Sequence, residues 1–354
     1  VTAFWTSPDF DEHERVELVH DRASGLTAIL ALHSTHLGPG AGGTRFWHYP
    51  DPDMAMRDAL RLSRGMSYKN AMAGLPMGGG KGVILADPAK TKTPELLAVF
   101  GEAIEALGGA YVTAEDVGMT EADMAAIATR TRHVTGLPSG RAGEAGGDPG
   151  PHTSRGVFLG LGAAVFEALG RASLAGVHVA IQGTGSVGGG LARLLAAAGA
   201  RLTLSDIDQA RAARLAAELG AVVVPADEIM QVECDVFSPN ALGAILDEES
   251  IARLRAAVVA GGANNQLARP EHGDALLARG ILYAPDYVIN AGGIIAVTYE
   301  YLDRMAGRAR DLAPTVASVD AIPERLAQVW AEARATGTAP SRVADAMAQR
   351  LIGR

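Results

Sequence analysis

The chain has 354 residues, of which 48% are apolar and 20% charged, with a mean hydropathy of +0.13 and a formal net charge of −9. That acidity offers no basic footprint for nucleic acid or an anionic membrane, no run reaches the roughly 18 apolar residues of a spanning helix, and the single cysteine, Cys234, excludes an internal disulfide framework. The length predicts two domains, and Val1-Thr2-Ala3-Phe4-Trp5 shows no secretory pattern, so a cytoplasmic protein of enzyme size is expected.

Residues 16–20 and 27–33 alternate around a polar turn at 21–25 and predict a β-hairpin. A helix follows, with Asp51 as its cap and Pro52 in its first turn. Met56, Ala59, Leu60, Ser63 and Met66 keep one face small or apolar, and Lys69 falls near its end. The run Leu75-Pro76-Met77-Gly78-Gly79-Gly80-Lys81-Gly82 then sets one lysine behind three glycines, where backbone crowds the ammonium. Desolvation and a second cation, for which Lys69 is the candidate, both disfavour the charged form and suit Lys81 to general acid/base work. The alternative is a glycine-rich turn with a solvated lysine after it. A P-loop is excluded, because Leu75 and Gly82 stand where that motif needs Gly and Ser or Thr. A strand at 82–85, a helix at 95–107 and a strand at 110–113 follow, the last delivering Glu115 and Asp116 into a loop, so the first half reads as α+β.

Residues 138–152 are nearly all turn formers, incompatible with a helix or interior strand, and mark a linker or hinge. A helix at 157–169 and a buried strand at 177–181 lead into Gly183-Thr184-Gly185-Ser186-Val187-Gly188, followed by a helix at 190–198 and a strand at 201–204 that ends at Asp206. A GxGxxG in that setting has a physical purpose. Gly183 allows the tight turn, Gly185 lets backbone approach a pyrophosphate at the helix N-terminus, and Gly188 permits close helix–strand packing. Asp206 can accept the adenosine ribose hydroxyls and would repel a 2′-phosphate, which favours NAD over NADP; Arg211 would soften that preference. Strands at 222–224, 235–238, 257–260 and 281–284, each after a helical stretch, predict a doubly wound parallel sheet. Asn240, Asn264-Asn265 and Asn290-Ala291-Gly292-Gly293 stand at successive strand ends, where they either close turns or line a ligand crevice. His33 and His36 have no further ligand at metal spacing, so no metal is expected. Residues 316–335 and 341–351 read as two helices.

Taken in order, these motifs resemble those of the Glu/Leu/Phe/Val dehydrogenases, NAD(P)-dependent amino acid dehydrogenases, and most closely the branch acting on leucine, valine and phenylalanine. The resemblance covers nearly the whole chain: Leu37-Gly38-Pro39 with Gly42-Gly43-Thr44-Arg45, Met66 with Lys69, residues 75–81, Thr113-Ala114-Glu115-Asp116-Val117-Gly118, the GxGxxG with Asp206, Ala263-Asn264-Asn265, and residues 290–293. It implies a Rossmann-type NAD domain, residues 138–335, beside an α+β substrate-binding and oligomerisation domain, residues 1–137, with an interdomain cleft and a last helix, 336–354, packing back on the first domain. Lys81 would polarise the substrate carbonyl and activate water, Asp116 would exchange protons with the substrate nitrogen, and Lys69 and the backbone at Gly43 would hold the α-carboxylate. Asn264 would orient substrate and nicotinamide. Thr153, residues 183–188, Asp206, Asn240 and Asn290 would hold the dinucleotide. Arg155 departs from the family, whose members carry an uncharged residue there, close to the expected nicotinamide site.

By the same resemblance Ala41, Ala114, Ile294 and Val297 line the side-chain pocket. None is charged, which disfavours glutamate, since a buried unpaired carboxylate is costly. Ala41 stands where leucine-type members carry leucine and widens the pocket, whereas Ala114 and Val297 are leucine-like. The expected reaction is reversible oxidative deamination of a bulky apolar L-amino acid to the 2-oxo acid and ammonia by a homo-oligomer, with phenylalanine slightly ahead of leucine and valine. A noncatalytic NAD-binding regulator would not need Lys69, Lys81 and Asp116 together, and a 2-hydroxy acid dehydrogenase would need a histidine that is not placed for it.

Overall fold

A computed structural model describes residues 3–86, 92–137 and 149–354. The chain forms two compact units, the first comprising Val1–Asp148, Ile294–Thr315 and Ala348–Arg354, the second Pro149–Gly293 and Val316–Met347. The division differs from the sequence boundaries at two places. Residues 294–315, expected with the nucleotide domain, belong to the first unit, and most of the last helix, expected on the first domain, belongs to the second.

In the first unit β1 (Arg15–Asp21), β2 (Leu26–Ser34), β3 (Gly40–Trp47), β4 (Gly78–Leu85) and β5 (Tyr111–Glu115) make one sheet in the order β1-β2-β4-β3-β5. The hairpin β1–β2 is antiparallel, while β3 runs parallel to both β4 and β5. Three helices cover the sheet. In α1 (Pro52–Met72) the Asp51 side chain accepts the Asp53 N–H; α2 (Pro94–Ala106) starts from Thr93; α3 (Glu121–Ala128) starts from a Thr120–Asp123 capping box. Strand periodicity sorts the core into two layers. Leu26, Ala28, Leu30 and Leu32 pack with Phe100, Ile104, Met124 and Ile127 of α2 and α3, whereas Ile29 and Ala31 pack with Ala55 and Ala59 of α1. Each fully buried aliphatic or aromatic side chain here is worth about 1.5–3 kcal/mol.

The three glycines before Lys81 are strand, not turn. A Cβ on Gly79 would stand 2.2 Å from the Ser67 backbone nitrogen and 2.3 Å from the Ser63 carbonyl oxygen, so α1 lies directly on the bare backbone of β4. On the other face, a Cβ on Gly80 would meet the Tyr111 ring at 2.6 Å. His33 fastens the same helix to β2: its Nδ1 lies 2.7 Å from the Ser67 hydroxyl and its Nε2 3.1 Å from Asp11, and burial pulls its pKa down to about 4.

The second unit runs α4 (Gly150–Leu169), β6 (His178–Gln182), α5 (Ser186–Ala197), β7 (Arg201–Ser205), α6 (Gln209–Leu219), β8 (Val222–Val223), β9 (Val236–Pro239), α7 (Glu248–Arg253), β10 (Val258–Val259), α8 (Glu271–Ala278), β11 (Leu282–Tyr283) and α9 (Asp286–Ile289). Its six strands are all parallel in the order β11-β10-β9-β6-β7-β8. The strand order reverses at β6 and β9, the switch point where a doubly wound sheet takes its ligand. Of the proposed hinge, residues 138–148 lie outside the described residues. Residues 150–152 begin α4 rather than a loop, because Pro151 sits in the first turn, where no N–H is required. Cys234, half-buried before β9, has its thiol pushed up to about 12 by desolvation.

Beyond α9 come α10 (Gly292–Met305), α11 (Ala313–Asp320), α12 (Ile322–Thr336) and α13 (Pro340–Leu351). The stretch 316–335 read as one helix is two, broken at Ala321 because Pro323 lacks the N–H that would continue the ladder. Among the described residues no helix is long and apolar enough to cross a membrane.

Candidate active site

Lys81 and Asp116 meet in the first unit. Lys81 lies in the middle of β4, 5% exposed, and its Nζ donates to Asp116 Oδ2 at 2.6 Å. Alternate residues of a strand share a face, and Gly79 of β4 abuts α1, so Lys81 stands on the α1 face of the sheet. The pairings Ala41–Gly79, Ala41–Val112 and Gly43–Ala114 put Ala41, Gly43 and Ala114 on that same face. Gly43 is glycine for a reason: a Cβ there would lie 2.4 Å from the Glu115 carbonyl oxygen and 2.9 Å from Asp116 Cβ, displacing the acid.

The charge pattern around the pair is specific. Burial draws the Lys81 pKa below its usual value, with Asp116 opposing the shift and Arg45 adding to it. Burial alone would raise Asp116, yet the Lys81 ammonium and the Arg45 guanidinium hold it below the usual carboxylate range. Arg45, on β3, donates Nε–H to Asp116 at 3.1 Å and Nη1–H to Asp58 of α1 at 2.8 Å. Tyr49 and Arg61 also donate to Asp58. Beside Lys69, the second cation the sequence offers, the structure adds a cation that touches the pair's carboxylate directly, Arg45. Its signal was the two-residue step from Gly43 along one strand. Lys69 stands in the last turn of α1, half-buried, one turn beyond Met66, whose side chain overlies Gly42.

Ala41 is buried, while Ala114, Ile294 and Val297 are half-buried. The Thr135 hydroxyl donates to the Val297 carbonyl at 2.7 Å, and the Thr135 N–H donates to Thr113 O at 2.8 Å, which ties α10 to the strand bearing Ala114.

In the second unit the Gly-rich turn has the shape its spacing predicts. Gly183 adopts φ +89°, and a Cβ on Gly188 would lie 2.0 Å from the Gly183 carbonyl oxygen, so neither position accepts another residue without a shift. Gly185 differs: a Cβ there would meet only the flexible Arg211 guanidinium, at 4.0 Å, and as the N-cap of α5 it offers no side chain to the helix amides. Thr184, buried at the turn, donates its N–H at 2.7 Å and its hydroxyl at 2.8 Å to Asp206 Oδ2. Ser186 and Val187 open α5, and Val187 O accepts the Ser154 hydroxyl of α4. Asn290 donates to Asn264 Oδ1 at 2.8 Å, while its own Oδ1 is buried with no partner. An acceptor left open beyond β11, together with the free approach at Gly185, fits a nicotinamide dinucleotide, whose carboxamide N–H and pyrophosphate would meet them.

Two residues expected at the dinucleotide, and Arg155 beside them, also have partners within the chain. Asn240 spends its amide on Ser238 and its Oδ1 on the Gly262 N–H, closing the turn after β9. The Thr153 hydroxyl bonds back to Pro149 O. Arg155 forms a two-pronged pair with Asp320 at 2.9 and 3.0 Å, an exposed contact worth about 0–1 kcal/mol. Among the described residues no group of three or more His, Cys, Asp or Glu side chains is placed to hold a metal.

Comparison with known proteins converges on one group. Residues 13–133 match the family described as "Glu/Leu/Phe/Val dehydrogenase, dimerisation domain", and residues 204–350 match "Glutamate/Leucine/Phenylalanine/Valine dehydrogenase". The chain is 46% identical over 341 residues to leucine dehydrogenase of Geobacillus stearothermophilus, covering 96% of this chain and 91% of that one. It is 44% identical over 347 residues to valine dehydrogenase of Streptomyces albus, covering 96% and 92%. The crystal structure of L-tryptophan dehydrogenase from Nostoc punctiforme superposes with a TM-score of 0.84 at 39% identity, covering 96% of both chains.

Proposed function

The chain belongs to the Glu/Leu/Phe/Val dehydrogenase family, and from that premise we propose that it is an NAD-dependent L-amino acid dehydrogenase acting on leucine or valine. The observation that carries the reading is the Lys81–Asp116 contact, a buried ammonium and acid on one sheet face, in a chain that also builds a dinucleotide turn.

Each residue has a task. Lys69 holds the substrate α-carboxylate, with the Gly43 backbone beside it. Asp116, kept ionised by Lys81 and Arg45, takes a proton from the substrate ammonium so that the amine lone pair can drive hydride loss from Cα. The nicotinamide supplies the hydride acceptor. Once Asp116 is protonated, the charge that held the Lys81 ammonium is gone and burial favours loss of its proton; the freed amine takes a proton from the water that adds to the imine carbon, and the tetrahedral adduct expels ammonia as Asp116 returns its proton. The balance is amino acid, water and oxidised cofactor to 2-oxo acid, ammonium, reduced cofactor and one proton.

The substrate assignment rests on relatives named for leucine and valine at 43–46% identity. Phenylalanine, which Ala41 alone favours, becomes the second reading; it keeps support from that small side chain and from the similarity to a tryptophan dehydrogenase. We place the enzyme in the cytoplasm as a homo-oligomer assembled through the first unit, since residues 13–133 match a domain described as a dimerisation domain. The test is an NADH-formation assay at alkaline pH over a panel of L-amino acids. Turnover highest on leucine or valine supports the assignment, and turnover highest on phenylalanine or tryptophan moves it to the aromatic reading. No turnover on any amino acid removes it.

A further inference from the structure

The pairing between β3 and β4 has a gap. Gly40 and Ala41 pair with Gly78 and Gly79, and the register resumes at Thr44 with Gly82, but it skips Gly42 and Gly43, although both stay paired with β5. The Gly40 and Phe46 N–H groups face β5, donating to Ala110 and Val117, so by alternation the Gly43 N–H faces β4. In a regular parallel ladder it would donate to the Gly80 carbonyl, and loss of that one bond removes the two missing pairs and no others. The Gly80 oxygen is turned over Gly42 instead, 1.9 Å from where a Cβ there would stand. Gly43 is half-buried, between the buried Gly42 and Thr44, so its amide is the approachable one.

Tyr111 of β5 holds this gap. Its ring, wholly buried, lies 2.6 Å from where a Cβ on Gly80 would stand, and its hydroxyl donates to the Gly42 carbonyl at 2.8 Å, with the Thr44 hydroxyl 3.4 Å away. The Gly42 carbonyl and the Gly43 N–H belong to one planar peptide unit, so a bond that fixes the first also aims the second. Packing alone would be served by phenylalanine, since a buried hydroxyl costs free energy unless it is bonded.

We propose that Tyr111 is a positioning residue for the substrate carboxylate: its hydroxyl holds the 42–43 peptide so that the Gly43 N–H, released from the ladder, is aimed at an α-carboxylate. The inference rests on the reading of Gly43 and Lys69 as the carboxylate site. Tyr111 lies on the sheet face opposite Lys81, so it acts through the backbone and not on the reacting groups. An amide already off the ladder gives the carboxylate a charge-assisted bond without breaking a backbone one. Burial pushes the Tyr111 phenol up to about 12, so the hydroxyl keeps its proton, and its bond, in an alkaline assay.

The experiment is steady-state kinetics of Y111F, which loses one oxygen and keeps the ring, on the amino acid that the wild type turns over best. KM should rise about tenfold with kcat within about twofold, the effect of misaiming one charge-assisted bond. Isocaproate, a carboxylate without an amine, should inhibit Y111F about tenfold less well than the wild type, whereas isoamylamine, an amine without a carboxylate, should inhibit both alike. I104V trims the same core layer without touching the hydroxyl, and it should lower Tm while leaving KM in place. In the wild type, hydrogen exchange read residue by residue should find the Gly43 amide faster than those of Ala41 and Arg45, and slowed by isocaproate. A Gly43 amide as protected as these neighbours overturns the inference whatever Y111F does. So does a Y111F protein with unaltered KM, one that loses kcat alone, or an I104V protein whose KM rises equally. A wild type with no turnover on any amino acid fails the functional reading itself, and the inference falls with it.

Discussion

Two glycine-rich segments do opposite things in this molecule. In β4 the glycines remove side chains so that α1 closes against one face of the backbone, the face of the buried Lys81, and the Tyr111 ring against the other. In the turn after β6, Gly183 and Gly188 also serve packing, but Gly185 has no backbone against it, only the end of the Arg211 side chain at 4.0 Å, and leaves helix amides approachable. The acids follow the same division. Asp116 is held by the side-chain cations Lys81 and Arg45, whereas Asp206 is held chiefly by the N–H and hydroxyl of Thr184 in the turn after β6 and by the Asp208 N–H two residues on. Glycine in a sequence therefore reports a need for space without saying whether protein or ligand fills it.

The contrast can be broken by substitution, beginning with the largest effect. K81A should lower kcat by about 10²–10⁴, the range for loss of a general acid/base, while NADH titration stays close to wild type. Loss of NADH binding instead would show that the two regions are not separable. G79A and G185A sharpen the comparison next. G79A drives a methyl into α1 and should cost about 3 kcal/mol, roughly 6 °C or more in Tm, with or without cofactor. G185A should leave Tm within about 2 °C and weaken NADH binding about tenfold or more, because the methyl enters the space a pyrophosphate needs. Equal Tm losses in the two variants would erase the distinction between packing and approach.

Smaller effects follow. A41L should shrink the side-chain pocket and lower kcat/KM on phenylalanine about tenfold more than on leucine, in line with about 1–3 kcal/mol per methylene-scale change. R45M removes a cation that lowers both Lys81 and Asp116, so the rising limb of the kcat/KM profile should move to higher pH. A limb that stays in place or moves down would mean that Arg45 does not tune the pair. The mildest effect concerns His33, whose pKa is lowered from 6.5 to about 4. Its neutral form stabilises the fold fully above pH 6.5, and that contribution is lost as pH falls from 6.5 toward 4. H33Q should flatten the acid-side decline in Tm by about 2–4 °C, measured by thermal scans across that window.

The second unit was the more legible half. A buried apolar strand, the glycine spacing and an acid at the end of the next strand are local signals, and the structure places Gly183, Gly188 and Asp206 as that pattern requires. In the first unit Lys81 was found by its glycines, but β3 was not. Gly40-Ala41-Gly42-Gly43 looks like a loop, and it is extended only because β4 and β5 pair with it on both sides. The Arg45–Asp116 and Arg45–Asp58 contacts were equally hidden, since they join residues far apart in sequence through a sheet whose strand order composition does not encode. The helix beginning at Gly150 was masked by turn-forming residues whose role at an N-terminus is the reverse of their role inside a helix.

The lone thiol has a practical consequence. Desolvation pushes the half-buried Cys234 thiol well above its usual value and so disfavours the thiolate that alkylating reagents attack in the native chain. A cysteine introduced on the surface of either unit would then be the dominant reactive handle, and a fluorophore attached there would report on one chosen position without first removing the natural residue.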